Sequence, residues 1–476
     1  MEKMKNNELV FSQRSYVAFN IHTFICILFL FLFSYTSYGQ DMTLERCREM
    51  ALGNNKQIAI AGQNKEKTSS MVKQYRANFL PKLSAQALGY YNSTSNDINV
   101  KMGSISLFDP NSLGGLIPPE LLPIINSLSV VNIPDVNFNL RLNNTYVAGV
   151  NLDQPVYMGG KITSAYKMSK IGDEIAELNK QLTEAEVIVE TDKAYWLCVQ
   201  AIELSKSAGK YKEVVEEFHR VVKNAGEVGM KSQNDLMKVQ VQLNQAELQL
   251  LRAQNGVRLS QMNLCHIIGI PFQGDLNLSY SFEKPLIDVN QTSGISLRPE
   301  YAMLNKQVEL KTQERRLVQS DFLPNVGIRG SYNYINGVRL NDEPLFNSGS
   351  FSAMFSVNIP LFHWGEGSRK IKVAEAETKI MQLQRDDLNE KMELELEKAL
   401  NSYNEALLEV ELTRVALSQA EENLKMSRDH YEAGMETISD YLEAQTIWQN
   451  SQSEYIVAKT KLEICKTEYL KAAGQL

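Results

Sequence analysis

Two carboxylates, Asp440 and Glu443, have the side-chain type and spacing in this chain that best suit a chemical task. They lie in a predicted helix just after Gly434-Met435, and residues three apart on a helix share one face. Carboxylates from several copies, brought together in a ring, would raise the local cation concentration and select for cations. The alternative is an ordinary solvated helix face. Asp235, which follows Gly229-Met230 in the same way, is the counterpart of Asp440.

The other reactive side chains form no pattern of catalysis or metal binding. The histidines lack the spacing of a ligand pair: His22, His219, His266, His363 and His430. Four cysteines lie in helix-like sequence and are predicted to be small apolar fillers: Cys47, Cys198, Cys265 and Cys465. The chain carries no nucleophile elbow, phosphate-binding loop or HExxH motif. We therefore predict a protein that is not an enzyme and that needs no metal and no cofactor.

A repeat with an offset of 205 residues predicts the elements that position the carboxylates. Pro155-Val-Tyr-Met-Gly-Gly160 recurs as Pro360-Leu-Phe-His-Trp-Gly365, and Gly229-Met230 recurs as Gly434-Met435. Equal offsets mean that the stretch between the two marks has the same length in both halves. The repeat predicts two copies of one unit. In each copy a strand ends at the proline, a long helix begins after Gly160 or Gly365, and a hairpin turn at Gly229 or Gly434 leads into a helix back.

The helical stretches are long and regular. The segment 368–433 contains neither proline nor glycine, and its seam from Met392 to Leu424 steps alternately by four and three residues, which indicates a heptad pattern. Gly160 to Gly229 would span roughly 100 Å as a straight helix. Return helices are predicted at 232–268 and 437–472. Shorter helices, at 43–78 and 299–321, each end at a Phe-Leu-Pro sequence, where proline stops a helix and starts a strand.

Four segments alternate between apolar and polar residues and predict strands: about 82–94, 138–152, 326–334 and 351–359. Strands of about ten residues with one apolar face are typical of a transmembrane β-barrel, but a soluble antiparallel sheet with one buried face fits equally well. About eight strands are needed to close a barrel, so spanning strands would require several chains to share one barrel. The first hairpin carries a longer loop, around 112–119 and 132–134, which proline and glycine predict to be irregular.

Residues 1–39 are predicted to be a secretory signal, with an uncleaved anchor as the alternative. Lys3, Lys5 and Arg14 precede the apolar run Phe24 to Phe33, and small residues follow it. This run is too short to cross a bilayer as a helix, and no other apolar run reaches about 18 residues. The net charge of −7 argues against nucleic acid as a partner. The predicted domains are the signal 1–39, a first repeat 40–270, a linker 271–297 and a second repeat 298–476.

The duplicated order of these marks resembles the TolC-like outer membrane efflux proteins, the outer membrane factors. Each half runs helix, Phe-Leu-Pro, two strands, Pro-x-x-x-Gly-Gly or Pro-x-x-x-Trp-Gly, long helix, glycine turn and helix. The tip sequence Tyr431-Glu-Ala-Gly434, followed by Ser439 to Gln445, also matches, as do the openings Thr43-Leu44 and Arg298-Pro299-Glu300. The resemblance covers essentially all of the chain after the signal.

The resemblance implies an α+β membrane protein and a homotrimer. Its 12-stranded β-barrel in outer membrane lipid, with four strands per chain, would continue into a long periplasmic α-helical barrel. The implied partners are a periplasmic adaptor (membrane fusion protein) and an inner-membrane RND or ABC transporter. The implied function is the exit duct of a tripartite efflux or type I secretion system. A soluble periplasmic coiled-coil adaptor or tether is the alternative, and a diffusion porin is disfavoured because each chain offers only four strands.

The resemblance also assigns residues to a gate at the periplasmic end of the tunnel. Asp440 and Glu443 match its constriction, and Tyr431 matches a residue of the network that keeps it shut. Glu436 stands where the family can carry an arginine, so a latch between arginine and carboxylate is not expected here. Lys231, at the same offset from its turn in the first half, is the residue that could compensate.

Overall fold

The computed structural model describes residues 42–91, 96–100, 104–106, 122–132, 136–141, 144–272, 274, 276–282, 294–340 and 343–476. The predicted signal lies outside this part. The chain divides into two compact units, and each draws on both halves of the sequence. The helical unit comprises Met1–Glu66, Ile175–Asn305 and Gln384–Leu476. The sheet unit comprises Lys67–Glu174 and Lys306–Leu383.

The helices are α1 (Leu44–Asn54), α2 (Lys56–Ala77), α3 (Leu122–Ser129), α4 (Lys161–Glu227), α5 (Gln233–Ile267), α6 (Pro299–Ser320), α7 (Glu366–Glu432) and α8 (Ile438–Ala472). The strands are β1 (Lys82–Tyr90), β2 (Asn96–Val100), β3 (Ser104–Ser106), β4 (Val130–Asn132), β5 (Val136–Arg141), β6 (Thr145–Met158), β7 (Asn325–Leu340) and β8 (Glu343–Asn358). In the part of the chain that the structure describes, no helix combines the length and the apolar character needed to cross a membrane.

The two long helices and the two return helices have matching lengths. Helices α4 and α7 each contain 67 residues, and α5 and α8 each contain 35. Lys161 and Glu366, which begin the long helices, lie 205 positions apart, and so do Glu227 and Glu432, which end them. The predicted long and return helices are confirmed, and their bounds differ from the prediction by a residue or two.

The predicted heptad seam is the less exposed stripe of α7. Its members are buried or half-buried, while most residues between them are exposed: Met392, Leu396, Ala399, Tyr403, Ala406, Val410, Thr413, Leu417, Ala420 and Leu424. Tyr403 and Ala406 pack with Leu462 and Cys465 of α8. The seam therefore joins the long helix to the return helix of the same half.

The prediction of a single helix at 43–78 is wrong, because the helix is interrupted at Asn55. Asn55 has an extended ψ of 131°, so α1 ends at Asn54 and α2 begins at Lys56. Its side-chain amide donates to the Ile267 carbonyl at 2.9 Å, and its Oδ1 accepts from the Gln57 N–H at 2.8 Å. The break thus serves a contact with the end of α5, more than 200 residues away in sequence.

The sheet unit contains an antiparallel sheet in which β1, β6, β7 and β8 lie side by side in that order. One row of neighbours is apolar: Ala85, Val150, Tyr332 and Phe351. The adjacent row is polar: Ser84, Asn151, Ser331 and Ser352. On the central strands the apolar Val150 and Tyr332 are exposed, whereas the polar Asn151 and Ser331 are half-buried. The apolar face of this sheet is therefore its open face.

Three expectations about the strands need correction. The strand predicted at 138–152 is divided, since β5 ends at Arg141, β6 begins at Thr145, and Asn144 has a positive φ of 52°. Strands β7 and β8 contain 16 residues each, more than the ten expected. Strand β6 does not end at Pro155 but continues to Met158 through a register shift between Pro155 and Tyr157, because a bulge accommodates a residue that cannot donate to the ladder.

The long loop of the first hairpin is more regular than predicted. It contains helix α3 and the paired strands β3 and β4. Pro123 lies in the first turn of α3, where proline costs no hydrogen bond. The segments 112–119 and 133–134 lie outside the described residues.

The helical unit contains an ion pair between the fully buried Asp192 and the half-buried Arg48. Asp192 of α4 has no exposed side-chain surface, and its two carboxylate oxygens accept from Arg48 Nε at 2.7 Å and Arg48 Nη2 at 2.5 Å. Thr467 of α8 donates its hydroxyl to the same carboxylate at 2.7 Å. An apolar cluster that includes Cys47, Tyr195 and Leu264 packs in the same unit. The described cysteines 47, 198, 265 and 465 are all buried and free, as predicted.

Candidate functional site

The two hairpin turns have the same backbone geometry. Gly229 has a φ of 77° and Gly434 a φ of 76°, in the left-handed region that favours glycine. Met230 N–H donates to the Ala225 carbonyl at 2.8 Å, and Met435 N–H donates to the His430 carbonyl at 2.9 Å. With the bonds that the glycine N–H groups make three residues back, these contacts form a Schellman motif at each turn.

Each return helix begins with a capping box at the same offset. The Thr437 side chain accepts from Asp440 N–H at 3.3 Å, while Asp440 Oδ2 accepts from Thr437 N–H at 2.9 Å and from the Thr437 hydroxyl at 2.7 Å. Ser232 and Asp235 make the equivalent contacts at the start of α5. The Thr437 hydroxyl, followed by its N–H, holds the pKa of Asp440 below its ordinary value, and Ser232 does the same for the pKa of Asp235.

These caps give two of the predicted gate carboxylates a structural task. Asp440 and Asp235 stabilise helix starts, because a carboxylate at the third helical position satisfies a free N–H and complements the helix dipole. Glu443 lies one turn further along α8 and is exposed. In the described part of the chain, no group of three or more His, Cys, Asp or Glu side chains could hold a metal ion.

Glu436 is held by the last turns of α7. Its Oε2 accepts from the Ser427 hydroxyl at 2.5 Å, and its Oε1 lies 3.2 Å from His430 Nδ1. Lys231, at the same offset in the first half, lies instead over the ring of Tyr431, with Nζ 4.5 Å from the centroid. The lysine therefore contacts the aromatic ring, and Glu436 is bound to its own hairpin.

An aromatic cluster joins the two hairpins at their tips. The Tyr431 ring stacks on Tyr441 with centroids 5.7 Å apart, and Phe218 of α4 meets both rings edge to face at 5.3 and 4.7 Å. Val222 and Val239 of the first hairpin complete its buried part. The prediction named Tyr431 alone. Tyr441 belongs to the matching tip sequence, but no local pattern marks Phe218, whose role depends on a contact between halves.

Polar contacts continue this junction along the hairpins. Lys238 Nζ of α5 donates to Ser439 Oγ of α8 at 3.1 Å. One turn further along, Gln242 donates to Thr446 Oγ1 at 3.2 Å and to the hydroxyl of Tyr211. The return helices of the two halves are therefore linked directly, not only through the long helices.

The strand-to-helix junctions lie in the sheet unit. Gly160, with a φ of 86°, directly precedes α4, and Gly365, with a φ of 78°, directly precedes α7. Pro360 follows the end of β8 as predicted, in contrast to Pro155. The neighbour Gly159 has the tightest surroundings, because an added Cβ would lie 2.5 Å from the Ser320 carbonyl oxygen.

Comparison with known proteins gives a family and a fold. The family described as outer membrane efflux protein matches residues 47–270 and 295–475. Similar solved structures include the CmeC outer membrane channel of Campylobacter jejuni, with a TM-score of 0.71 and 19% identity over 91% of this chain and 85% of that chain. The outer membrane protein VceC of Vibrio cholerae has a TM-score of 0.69 and 16% identity, covering 90% and 96%. The open MtrE outer membrane channel of Neisseria gonorrhoeae has a TM-score of 0.69 and 17% identity, covering 90% and 88%. No curated protein matches the chain.

Proposed function

Because this chain belongs to the outer membrane efflux protein family, we propose that it is the exit duct of a tripartite efflux or type I secretion system. It would pass substrates from an inner-membrane RND or ABC transporter and a periplasmic adaptor to the outside. The family places the protein in the outer membrane. As a conduit it performs no catalysis, and the inner-membrane transporter supplies the energy.

The main support for this proposal is the exposure pattern of the sheet. Its exposed face is apolar and its less exposed face is polar, the reverse of a soluble sheet that covers a core. Strands β1 and β8 are exposed throughout their described residues and each pairs on one side only within the described chain. Four strands with two open edges support a 12-stranded barrel shared by three copies, because full closure removes such edges.

The helical hairpins support the periplasmic part of the duct. Equal lengths in the two halves would let six hairpins from three chains form one α-helical barrel. In this assignment 40–270 and 298–476 are two copies of one unit, joined by the linker 271–297. The long helices suit a tunnel across a wide compartment, because 67 residues of α-helix span about 100 Å.

The gate is proposed at the hairpin tips, with two kinds of residue. The cluster of Phe218, Tyr431 and Tyr441 holds the two hairpins of one chain together. Glu443 and Asp440 supply the carboxylates that three chains would bring to a ring. Glu443 is the better candidate for contact with passing ions, since the Asp440 carboxylate is already engaged by Thr437.

A soluble coiled-coil adaptor is the competing function, and a diffusion porin is a weaker one. An adaptor would account for the helical hairpins but not for a sheet with its apolar face open. A porin would account for the sheet but not for two 67-residue helices in a chain with four main strands. Extraction from membranes separates the adaptor from the duct, because only the duct requires detergent.

Single-channel conductance in a planar bilayer tests the duct and its gate together. The exposed Glu443→Gln change, combined with Asp440→Asn to retain the cap, should weaken block by hexaamminecobalt(III) from the periplasmic side by roughly tenfold. Glu454→Gln, an exposed carboxylate elsewhere on α8, should leave the block unchanged. Unchanged block in the double variant would refute the gate, and solubility without detergent together with no conductance would refute the duct.

A further inference from the structure

An open groove lies in the sheet unit near the connection between α2 and β1. It has a volume of about 530 Å³ and is lined by Lys73, Arg76, Ala77, Phe79, Leu80 and Tyr166. The lining therefore combines two cations with aromatic and aliphatic side chains. The gate and the hairpin tips lie in the other unit, so the gate does not account for this groove.

The cations of the groove lack acidic partners. Among the residues that the structure describes, neither Lys73 nor Arg76 makes an ion pair, and both are exposed. Other lysines of this unit do form ion pairs. Lys306 Nζ lies 2.7 Å from Glu174 Oε2, and Lys311 Nζ lies 2.8 Å from Glu314 Oε2. Lys170 adds a third cation nearby, with its Nζ 5.8 Å from the centroid of the Tyr166 ring. Positive charge without compensation is thus concentrated close to the first strand.

The apolar side of the groove adjoins the open face of the sheet. Phe79 is 40% exposed and Leu80 is 60% exposed, and the Phe79 ring meets Tyr166 edge to face at 5.8 Å. Gln154 lies two residues after Leu152 on the apolar face of β6, and its amide donates to the Phe79 carbonyl at 3.2 Å. Leu83 of β1 is also exposed and pairs with the exposed Leu152 of β6, so exposed apolar side chains extend from Leu80 to the face that the proposed function assigns to lipid.

We propose that this groove binds an anionic phospholipid of the periplasmic leaflet, an inference that rests on the proposed function. The phosphate lies between Lys73 and Arg76, because a guanidinium and an ammonium bind phosphate oxygens through charge-assisted hydrogen bonds. An acyl chain follows Phe79 and Leu80 toward the sheet. A site with both features selects a lipid over free phosphate, since the apolar side contributes only when acyl chains are present.

Native mass spectrometry of the delipidated, detergent-extracted protein tests the site with three probes. Phosphatidylglycerol should remain bound, whereas phosphatidylcholine and inorganic phosphate should bind at least about tenfold more weakly. Lys73→Gln with Arg76→Gln should lower phosphatidylglycerol occupancy by about tenfold or more, and Leu80→Ser should also lower it. The matched control, Lys398→Gln with Lys425→Gln, removes two exposed α7 cations that lack ion pairs within the described chain and should have no effect. Equal retention in the Lys73/Arg76 variant would overturn the proposal.

Thiol labelling tests whether a neighbouring copy fills the groove instead. Lys73→Cys should react with a charged maleimide in the delipidated protein and be protected by phosphatidylglycerol, and an unreactive thiol there would overturn the proposal. The four described native cysteines are buried, which keeps the background low. Conductance of the Lys73/Arg76 variant in phosphatidylcholine bilayers separates the two proposals. If the channels conduct normally but the wild-type protein binds phosphatidylglycerol no better than phosphatidylcholine, only the lipid site is refuted. If neither the wild type nor the variant forms channels, the duct is refuted.

Discussion

The carboxylate of Asp192 is the most constrained charge in the helical unit. It is fully buried on α4 and accepts hydrogen bonds from Arg48 Nε and Nη2 of α1. It also accepts a hydrogen bond from the Thr467 hydroxyl of α8. The contact with Asp192 holds the pKa of the Arg48 guanidinium above its ordinary value. One side chain thus connects three helices that lie far apart in sequence, and its removal would leave a half-buried cation without a partner.

Asp192→Asn should lower the free energy of unfolding by about 3 kcal/mol, because breaking a buried pair leaves its partner uncompensated. Asp387→Asn is the matched control, since its exposed pair with Lys391 is worth less than about 1 kcal/mol. Chemical denaturation followed by far-ultraviolet circular dichroism of the detergent-solubilised protein measures both changes. Similar losses in the two variants would show that the buried pair contributes no more than a surface pair.

At the scale of elements, the hairpin turns depend on backbone conformation more than on packing. Gly229 and Gly434 have positive φ, and an added Cβ at either position would meet no atom within 4 Å. Any cost of substitution therefore comes from the left-handed backbone itself. The capping boxes then fix the start of each return helix, because Ser232 and Thr437 are the N-cap residues three positions after the glycines.

Gly434→Val should destabilise the tip by about 1–2 kcal/mol, because a β-branched residue is strained in the left-handed region. Gly434→Asn is the control, since asparagine visits this region more readily. Hydrogen exchange of the Met435 amide should accelerate in the valine variant, and efflux complementation should fall. If the two variants exchange equally and both complement fully, the turn does not depend on its backbone conformation.

Sequence patterns predicted the helices well because their signals are local. Glycine turns bracket the long helices and proline ends the short ones. The break at Asn55 was missed because its cause, the Ile267 carbonyl, lies far along the chain. The strand end at Pro155 was wrong because a bulge carries β6 past the proline. At the tips, the sequence also contains the capping pattern Thr437-x-x-Asp440, although Asp440 was predicted only as a gate residue. The contacts of Phe218 depend on tertiary structure and have no local sequence signal.

At the scale of the whole molecule, a single chain leaves its sheet incomplete. Strands β1 and β8 each present an unpaired edge within the described chain, next to an exposed apolar face. Exposed edges of this kind favour association with further strands. A trimer that joins β8 of one copy to β1 of the next would cover both edges.

Disulfide crosslinking between the edge strands measures this assembly. Ser84→Cys on β1, combined in turn with cysteine at Ser348, Ser350, Ser352 or Ser356 on β8, should give covalent ladders that stop at three chains. Asn151→Cys with Ser331→Cys is the control, because these residues face each other within one chain, and it should give no ladder. Ladders that continue past three chains, or that appear in the control alone, would contradict a closed trimer.

The pairing of β6 with β7 has a consequence for the order of folding. Met158 pairs with Asn325 and Tyr146 with Asn336, so this central contact closes a loop on the order of 180 residues. The helices α4 and α5 adjoin in sequence and can meet as soon as both are exported. Strands β1 and β6 can pair with each other, but the second edge of β6 must wait for β7, which comes only after α6. The sheet therefore cannot be completed until β7 and β8 have been exported, long after the first helical hairpin, and the apolar strands of the first half have to be kept from aggregation until then.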